Sequence, residues 1–217
     1  MAEVILFAGP STYGLDRAML LQGGVRLRPP VRRGDVALLV QAGSTPGVLV
    51  ICDGVFQSVP AVSHAELCAA IDAGWQVWGV SSIGAIRAFE LRDEGMRGFG
   101  YVYEQLSRRE DFTDDEMCLL HFPEDPWFPL TEALVNLRYA LDVHGAALGI
   151  PVEAGVRAVA TLSRTWFGDR TPEFMQTALV DAGVPTSDAQ ALLAWTAANR
   201  IKSLDLLRLI QTRPWIG

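Results

Sequence analysis

Cysteine and long apolar runs are both scarce in this chain of 217 residues. The three cysteines, Cys52, Cys68 and Cys118, are odd in number and lack Cys-x-x-Cys spacing. This pattern predicts reduced thiols and neither a disulfide framework nor a zinc site. No apolar run approaches the ~20 residues of a membrane span, and the first ten residues lack the basic region of a signal peptide. We therefore expect a cytoplasmic protein without a membrane segment.

Basic residues are also in the minority. The chain has 18 Lys and Arg against 25 Asp and Glu, which gives a net charge of −7. A general nucleic-acid surface needs the opposite balance, and the basic run at residues 26–33 contains only four arginines. We therefore expect no nucleic-acid partner. With 50% hydrophobic and 20% charged residues, the chain has the composition of an ordinary globular protein of one large or two small domains.

Strand and helix patterns alternate along the first part of the chain. Short runs of β-forming residues alternate with segments that have helical spacing or helix caps. The predicted strands are 4–7, 25–27, 48–52 and 76–80, and the predicted helices are 16–22, 35–41 (capped by Asp35), 63–72 and one from residue 83. This alternation predicts an α/β fold with a parallel, Rossmann-like or flavodoxin-like sheet and flanking helices. The glycine-rich segment 95–100 is predicted to be a loop.

The remainder of the chain has helical patterns only. The predicted helices are 101–109, 130–144, 151–166, one that begins at Thr171-Pro172, one that begins with a capping box at residues 187–190, and 201–210. We therefore expect an α/β core domain at residues 1–145 and an all-helical C-terminal extension at residues 146–217. The extension contains no evident catalytic group of residues.

The segment WQVWGVSSIGAIRAFEL, at residues 75–91, contains the candidate active centre. A strand at 76–80 turns at Ser81 and Ser82 into a helix, which places hydroxyls beside the helix N–H groups that favour negative charge. Acyl-transfer enzymes place a nucleophile on such a turn. A G-x-S-x-G motif centred on Ser82 would need glycine where Val80 stands. In the alternative interpretation, a serine only caps the helix, and Gly84 allows close packing on the sheet.

Further polar residues are expected at the same edge, because right-handed crossovers bring the carboxyl ends of parallel strands together. Gly9 and Ser11 follow the first predicted strand, and Asp53 follows the third. With Ser82, His64 could act as base and Asp53 as its orienter; alternatively, Asp53 stabilises a turn and His64 is an ordinary first-turn helix residue.

Other polar groups have two interpretations each. Arg87 and Glu90 are either site residues or a surface pair three residues apart on a helix. Cys52 is a persulfide carrier or, more in keeping with its apolar neighbours, a small buried hydrophobe. The acidic residues 114–116 with His121 are divalent-metal ligands or, as the pattern favours, a solvated acidic helix start. We expect no metal and no cofactor.

Taken together, six ordered blocks resemble the TfuA core family. They are FAGPS, PPVRRGD, DGVFQSVPAVSHAEL, GVSSIGAIRAFEL with GMRGFG, the acidic DDE segment with the histidine after it, and EALVNLR. The resemblance covers residues 4–138, and the segment KSLDLLRL near the C-terminus shows a weaker similarity to the family. By matching positions, the polar motif residues of the family correspond to Ser11, Asp53, His64, Glu66, Ser81, Ser82, Arg87 and Glu90, and less surely to Glu132, Asn136 and Arg138.

The resemblance implies a partner role. TfuA proteins act with YcaO enzymes, which activate peptide backbone amides with ATP and install thioamides in ribosomal peptides or in an archaeal enzyme. The implied activity is recruitment and hydrolysis of a thiocarboxylated, ThiS-like sulfur-carrier protein, with the precursor peptide as a further partner. The alternative is a non-catalytic module that docks on a YcaO enzyme and activates it. The missing glycine at position 80 weakens a third interpretation, a stand-alone esterase.

Overall fold

The computed structural model describes residues 3–43, 45–55 and 59–216. Residues 56–58, in the block DGVFQSVPAVSHAEL, lie outside the described residues. By backbone contacts the chain forms two compact units, one of Met1–Phe112 with Lys202–Gly217 and the other of Thr113–Ile201. The domain boundary that the sequence suggested, at residue 145, stays a prediction. No helix of the described residues has both the length and the apolarity to cross a membrane.

The first unit contains a five-stranded sheet, as far as the described residues go, and every pairing in it is parallel. Its strands, in the spatial order β2-β1-β3-β4-β5, are β1 (Val4–Phe7), β2 (Val25–Arg28), β3 (Val48–Ile51), β4 (Gln76–Val80) and β5 (Arg97–Phe99). The predicted parallel α/β fold is therefore confirmed, and the order is the flavodoxin-like one.

The prediction of a loop at residues 95–100 is wrong, because β5 lies within it and pairs with β4. The strand is only three residues long and contains Gly98, so it lacks the run of β-forming side chains that marks a strand in the sequence. The glycine has a packing role here: a Cβ on Gly98 would lie 2.1 Å from the ring of Tyr103.

Helices cover the sheet of the first unit. They are α1 (Arg17–Leu20), α2 (Asp35–Gln41), α3 (His64–Asp72), α4 (Ile83–Glu90), α5 (Gly100–Arg108) and, from the end of the chain, α10 (Ile201–Thr212). The apolar side chains of α10, Leu206, Leu209 and Ile210, pack in one core with residues of β1 and β3. Asp35 does not cap α2. The capping position belongs to Gly34, which has a left-handed φ of 95°, and the Asp35 carboxylate accepts a hydrogen bond from the N–H of Arg32.

The second unit is helical. It contains α6 (Leu134–His144), α7 (Val152–Leu162), α8 (Pro172–Asp181) and α9 (Thr186–Ala198), whose buried apolar residues form one core. The predicted start of α8 is confirmed, since Thr171 accepts a hydrogen bond from the N–H of Phe174. The predicted capping box of α9 is wrong: the helix begins at Thr186, and the Ser187 hydroxyl donates to its neighbour Asp188.

Candidate active site

The candidate site lies at the carboxyl edge of the sheet, where the loops after β1 and β3 meet. In a sheet of this order, β1 and β3 flank the point at which the chain changes direction, and open α/β sheets bind their ligands there. The buried Asp53 carboxylate accepts hydrogen bonds from the N–H groups of Gly9 (2.8 Å) and Ser11 (2.9 Å) and from the Ser11 hydroxyl (2.7 Å). Gly9, Ser11 and Asp53 are therefore brought together, and Asp53 holds the β1 loop.

The turn from β4 to α4 is strained. The N–H of Ser82 donates to the carbonyl of Val80 at 2.8 Å, which closes a three-residue turn, and its central residue, Ser81, has a φ of 67°. A three-residue turn with a positive central φ is rare, and a non-glycine residue in this region costs on the order of 1–3 kcal/mol. The strain persists because surrounding contacts hold it; the buried Ser81 hydroxyl donates to the carbonyl oxygen of Lys202 at 2.6 Å.

Ser82 occupies the position before the first residue of α4 but does not act as a capping side chain. Its hydroxyl makes no capping hydrogen bond to the helix, and 5% of the residue's surface is exposed. Among the described residues, no hydrogen-bond partner of this hydroxyl is found. The interpretation of Ser82 as a mere helix cap therefore lacks the bond that defines it.

Cys52 lies beneath the site, fully buried at the end of β3. Burial raises the pKa of its thiol well above the ordinary value, and the charge of Asp53 adds to this effect. Hydrogen bonds with the hydroxyls of Ser11 and Ser81, and the charge of Lys202, lower the same pKa in part. A buried, protonated thiol matches the interpretation of Cys52 as a small hydrophobe.

Sequence reasoning missed the contact between Lys202 and the serine turn. Lys202 stands in the first turn of α10, is only 4% exposed, and accepts the Ser81 hydroxyl through its backbone carbonyl. One signal was available: it is the only lysine in the sequence, and every other basic side chain, histidines aside, is an arginine.

His64, Arg87 and Glu90 form a second polar cluster on the first unit. Glu90 Oε2 lies 2.7 Å from His64 Nε2 and 2.5 Å from Arg87 NH1, and the Nε of Arg87 donates to the carbonyl of Val62 at 3.1 Å. Burial alone would raise the pKa of Glu90, but the hydrogen bonds from His64 and Arg87 outweigh it and lower that pKa. The Arg87–Glu90 pair expected on one helix face is formed.

The hydrogen bonds of this cluster differ from those expected for a triad of Ser82, His64 and Asp53. Within the described residues, the side-chain partner of His64 is Glu90, while Asp53 is bonded to Gly9 and Ser11. His64 is also 53% exposed, whereas Ser82 is almost buried. The structure therefore brings Asp53 to Ser11 and His64 to Glu90, and does not join His64 to Asp53.

Glu66 has a local structural role. It forms a capping box with Ser63 at the start of α3, and its second carboxylate oxygen accepts the N–H of Gly34 at 2.7 Å. The residue thereby ties the start of α3 to the start of α2. Both of its oxygens are engaged by these contacts.

The polar residues carried over less surely lie in the second unit. Arg138 binds the buried Glu116 through two hydrogen bonds of 2.6 and 2.7 Å. The carboxylate of Glu132 accepts from Asn136 at 2.7 Å and from Arg200 at 2.8 Å. In the acidic segment, Asp115 pairs with Arg170. No group of three or more His, Cys, Asp or Glu residues in the described part of the chain is placed to hold a metal.

The sequence also matches a known family. A family model described as TfuA-like protein matches residues 53–171, which is more than half of the 217 residues. The matched region begins at Asp53 and includes the serine turn, the His64 cluster and the Glu116–Arg138 pair. No curated protein matches the sequence. The chain belongs to the TfuA-like family.

Proposed function

We propose that this protein is an accessory protein for thioamidation of a peptide backbone by a YcaO enzyme, acting on a ribosomal peptide or a protein. In this proposal it supplies sulfur by recruiting a ThiS-like carrier and hydrolysing the thiocarboxylate at the carrier's C-terminus. Membership of the TfuA-like family fits an accessory role beside a YcaO enzyme. The sulfur-delivering activity is argued from the site itself.

One observation carries the proposal. After the strained turn at Ser81, the Ser82 hydroxyl lies at the N-terminus of α4 and makes no capping hydrogen bond to the helix. A nucleophilic serine needs a hydroxyl that is not committed to a structural hydrogen bond, and it needs backbone donors close by. The Ser81 hydroxyl donates to a buried carbonyl, which cannot take up a proton. Ser82 is therefore the nucleophile in this proposal, and Ser81 holds the turn.

The reaction balances without a cofactor. The Ser82 oxygen forms a bond to the thiocarboxylate carbon, the C–S bond breaks, and the sulfur leaves as HS⁻ with the hydroxyl proton. Water then hydrolyses the ester, which restores Ser82 and releases the carrier as a carboxylate. The N–H of Ile83, in the first turn of α4, has no acceptor within the helix and is suited to hold the oxyanion.

The other site residues have supporting roles in this proposal. Asp53 positions Ser11 and Gly9 beside the turn, in keeping with its three hydrogen bonds to them. The exposed cluster of His64, Arg87 and Glu90 contacts the body of the carrier. Glu66 supports that cluster from the start of α3.

Sulfide release from a purified thiocarboxylated carrier, without a YcaO enzyme, tests the proposal. We expect Ser82→Ala to lower the rate at least about 10³-fold, while carrier binding changes by no more than a few fold. Ser107→Ala is the matched control, because Ser107 is an exposed serine on α5 that bonds a carbonyl of its own helix. Full activity in Ser82→Ala, in Ser81→Ala and in the double variant would rule out serine catalysis.

A second candidate function is a non-catalytic module that docks on a YcaO enzyme and activates it. The observation in its favour is the absence of an imidazole or carboxylate contact to Ser82 among the described residues. For a module of this kind, the Ser82→Ala variant would stimulate thioamidation as well as the wild type does. Neither protein would release sulfide from the carrier by itself. The two functions therefore predict opposite results in one assay.

A further inference from the structure

Helix α10 buries polar residues at its start. Lys202, Ser203 and Asp205 are 4%, 6% and 0% exposed, although polar and charged residues lie mostly at the surface. The apolar residues that attach the helix to the sheet, Leu206 and Leu209 among them, come later in its sequence. The buried polar groups at the start of α10 are therefore placed for contacts of another kind.

These polar groups contact three chain segments that follow strands of the sheet. The carbonyl of Lys202 accepts the hydroxyl of Ser81, after β4, at 2.6 Å. The hydroxyl of Ser203 donates to a carbonyl in the loop after β1 at 3.3 Å. The Oδ2 of Asp205 accepts the N–H of Val102, in the first turn of α5 after β5, at 3.0 Å. The start of α10 thus joins the segments after β1, β4 and β5.

The contact between Asp205 and α5 fixes where α10 lies. Helix α5 has no capping side chain of its own, and the Asp205 carboxylate accepts from the N–H groups of Val102 and Tyr101, which have no acceptor within the helix. A Cβ on Gly100 would lie 2.4 Å from the carboxyl carbon, and Gly100 has a φ of 91°. Only glycine leaves room for the carboxylate here, so the start of α5 and Asp205 fit each other closely.

The strained serine turn, residues 80–82, depends on a support of this kind. Ser81 has a φ of 67°, and a residue other than glycine keeps such a conformation only where the surrounding contacts enforce it. The acceptor of its hydroxyl belongs to α10. A shift of α10 away from the sheet edge would remove this acceptor, so the turn would relax and the Ser82 hydroxyl would move with it.

We propose that α10 holds the serine turn in its strained conformation, and that Asp205, docked on the start of α5, is the positioning residue that seats α10. The catalytic consequence rests on the proposed function, because it concerns the Ser82 hydroxyl. The seating of α10 does not depend on that function. The last helix of the chain, in which the sequence shows no catalytic group, then regulates the geometry of the site.

Amide hydrogen exchange followed by NMR tests the seating of α10 without any substrate. In Asp205→Ala we expect the N–H of Ser82, which closes the turn on Val80, to exchange at least about fivefold faster relative to the amides of the central strand β3. A general loss of stability would accelerate both alike. Asp205→Asn keeps an oxygen acceptor and should retain the wild-type ratio. Thr171→Ala, the matched control, removes the cap of α8 in the second unit and should leave the ratio unchanged.

An unchanged ratio in Asp205→Ala, or an equal increase in either of the other two variants, overturns the seating role. If Asp205→Ala does not fold, Asp205→Ser replaces it under the same criteria, because its acceptor oxygen is one bond closer to the backbone and falls short of α5.

Sulfide release from the thiocarboxylated carrier tests the catalytic consequence. We expect Asp205→Ala to lower kcat about 10–100-fold, the effect of a displaced catalytic group, with KM for the carrier within about twofold of the wild type. Asp205→Asn should keep kcat within about twofold. A wild-type kcat in Asp205→Ala overturns the positioning role. If the wild type itself releases no sulfide, the proposed function fails, and the exchange measurement still decides whether α10 holds the turn.

Discussion

Gly79 and Gly84 bring strand β4 and helix α4 into contact without any side chain between them. A Cβ on Gly79 would lie 1.9 Å from the carbonyl oxygen of Gly84, and a Cβ on Gly84 would lie 1.8 Å from the carbonyl oxygen of Ile51. Heavy atoms that are not bonded to each other never approach so closely, so the backbones themselves would have to move apart. The two glycines thereby fix the distance between the sheet edge and the start of α4, where Ser82 stands.

The first prediction concerns this contact. Gly79→Ala should lower the free energy of unfolding by about 3 kcal/mol or more, because the new methyl group meets backbone atoms that cannot rotate away. Gly155→Ala is the control: in helix α7 the nearest atom to the new methyl belongs to the flexible side chain of Leu141, at 3.3 Å, and alanine favours the helix. Urea denaturation measures both, and equal stability of the two variants would contradict the role assigned to Gly79.

A second prediction concerns the buried carboxylate of Asp53. In Asp53→Asn one oxygen is replaced by an NH₂ group that faces the N–H and hydroxyl donors of Gly9 and Ser11. We expect a loss of about 1–3 kcal/mol in unfolding free energy, the cost of unsatisfied buried donors. Asp16→Asn is the matched control, since Asp16 is the exposed cap of α1 and asparagine caps equally well. A loss no larger in Asp53→Asn than in the control would show that the Asp53 contacts do not stabilise the loop.

Much of the fold could be predicted from the sequence. The strands β1 and β3 are runs of buried apolar residues, β4 is buried after its first residue, and α8 begins with the capping residue Thr171 that the sequence indicated. Edge strand β5 could not be predicted, because it has no run of β-forming residues and depends on pairing with β4.

The site was predicted in part. The location of Ser81 and Ser82 on a strand-to-helix turn follows from local periodicity, as does the position of Asp53 at a strand end. The partner of His64 does not follow from local periodicity, because it depends on how α3 packs beside α4. There Glu90 lies 26 residues further along the chain. Lys202 was missed for the same reason: its contact with Ser81 joins residues 121 positions apart, and no local pattern reports it.

A third prediction concerns pH. Burial raises the pKa of Asp205 from 3.8 to about 6, while hydrogen bonds from the N–H groups of Val102 and Tyr101 lower it in part. Because the folded protein holds this proton more tightly than the unfolded chain, the contribution of Asp205 to stability is fully present below pH 4. It falls as the pH rises through 6, by on the order of 3 kcal/mol.

Asp205→Asn should remove this dependence, since the amide oxygen still accepts from the start of α5 but does not ionise. We expect the variant to gain stability relative to the wild type between pH 4 and 7 when unfolding free energies are compared at each pH. All other ionisable groups are common to both proteins, so their effects cancel in the difference. A difference that is constant over this range would contradict the raised pKa.

The last prediction concerns Arg87 and its partner Glu90 on α4. Glu90 neutralises Arg87 through a 2.5 Å contact and also bonds His64. If this exposed cluster meets the body of the carrier, Arg87→Met and Glu90→Gln should change the affinity for carriers ending in carboxylate and in carboxamide by the same few-fold factor. The preference between the two carriers should remain, because the cluster then does not contact the terminal charge. Calorimetric titration of both carriers with both variants measures this. If Arg87→Met instead abolishes the preference and Glu90→Gln strengthens it, Arg87 is the anchor of the terminal carboxylate, because the loss of the competing Glu90 charge would then favour binding of that anion.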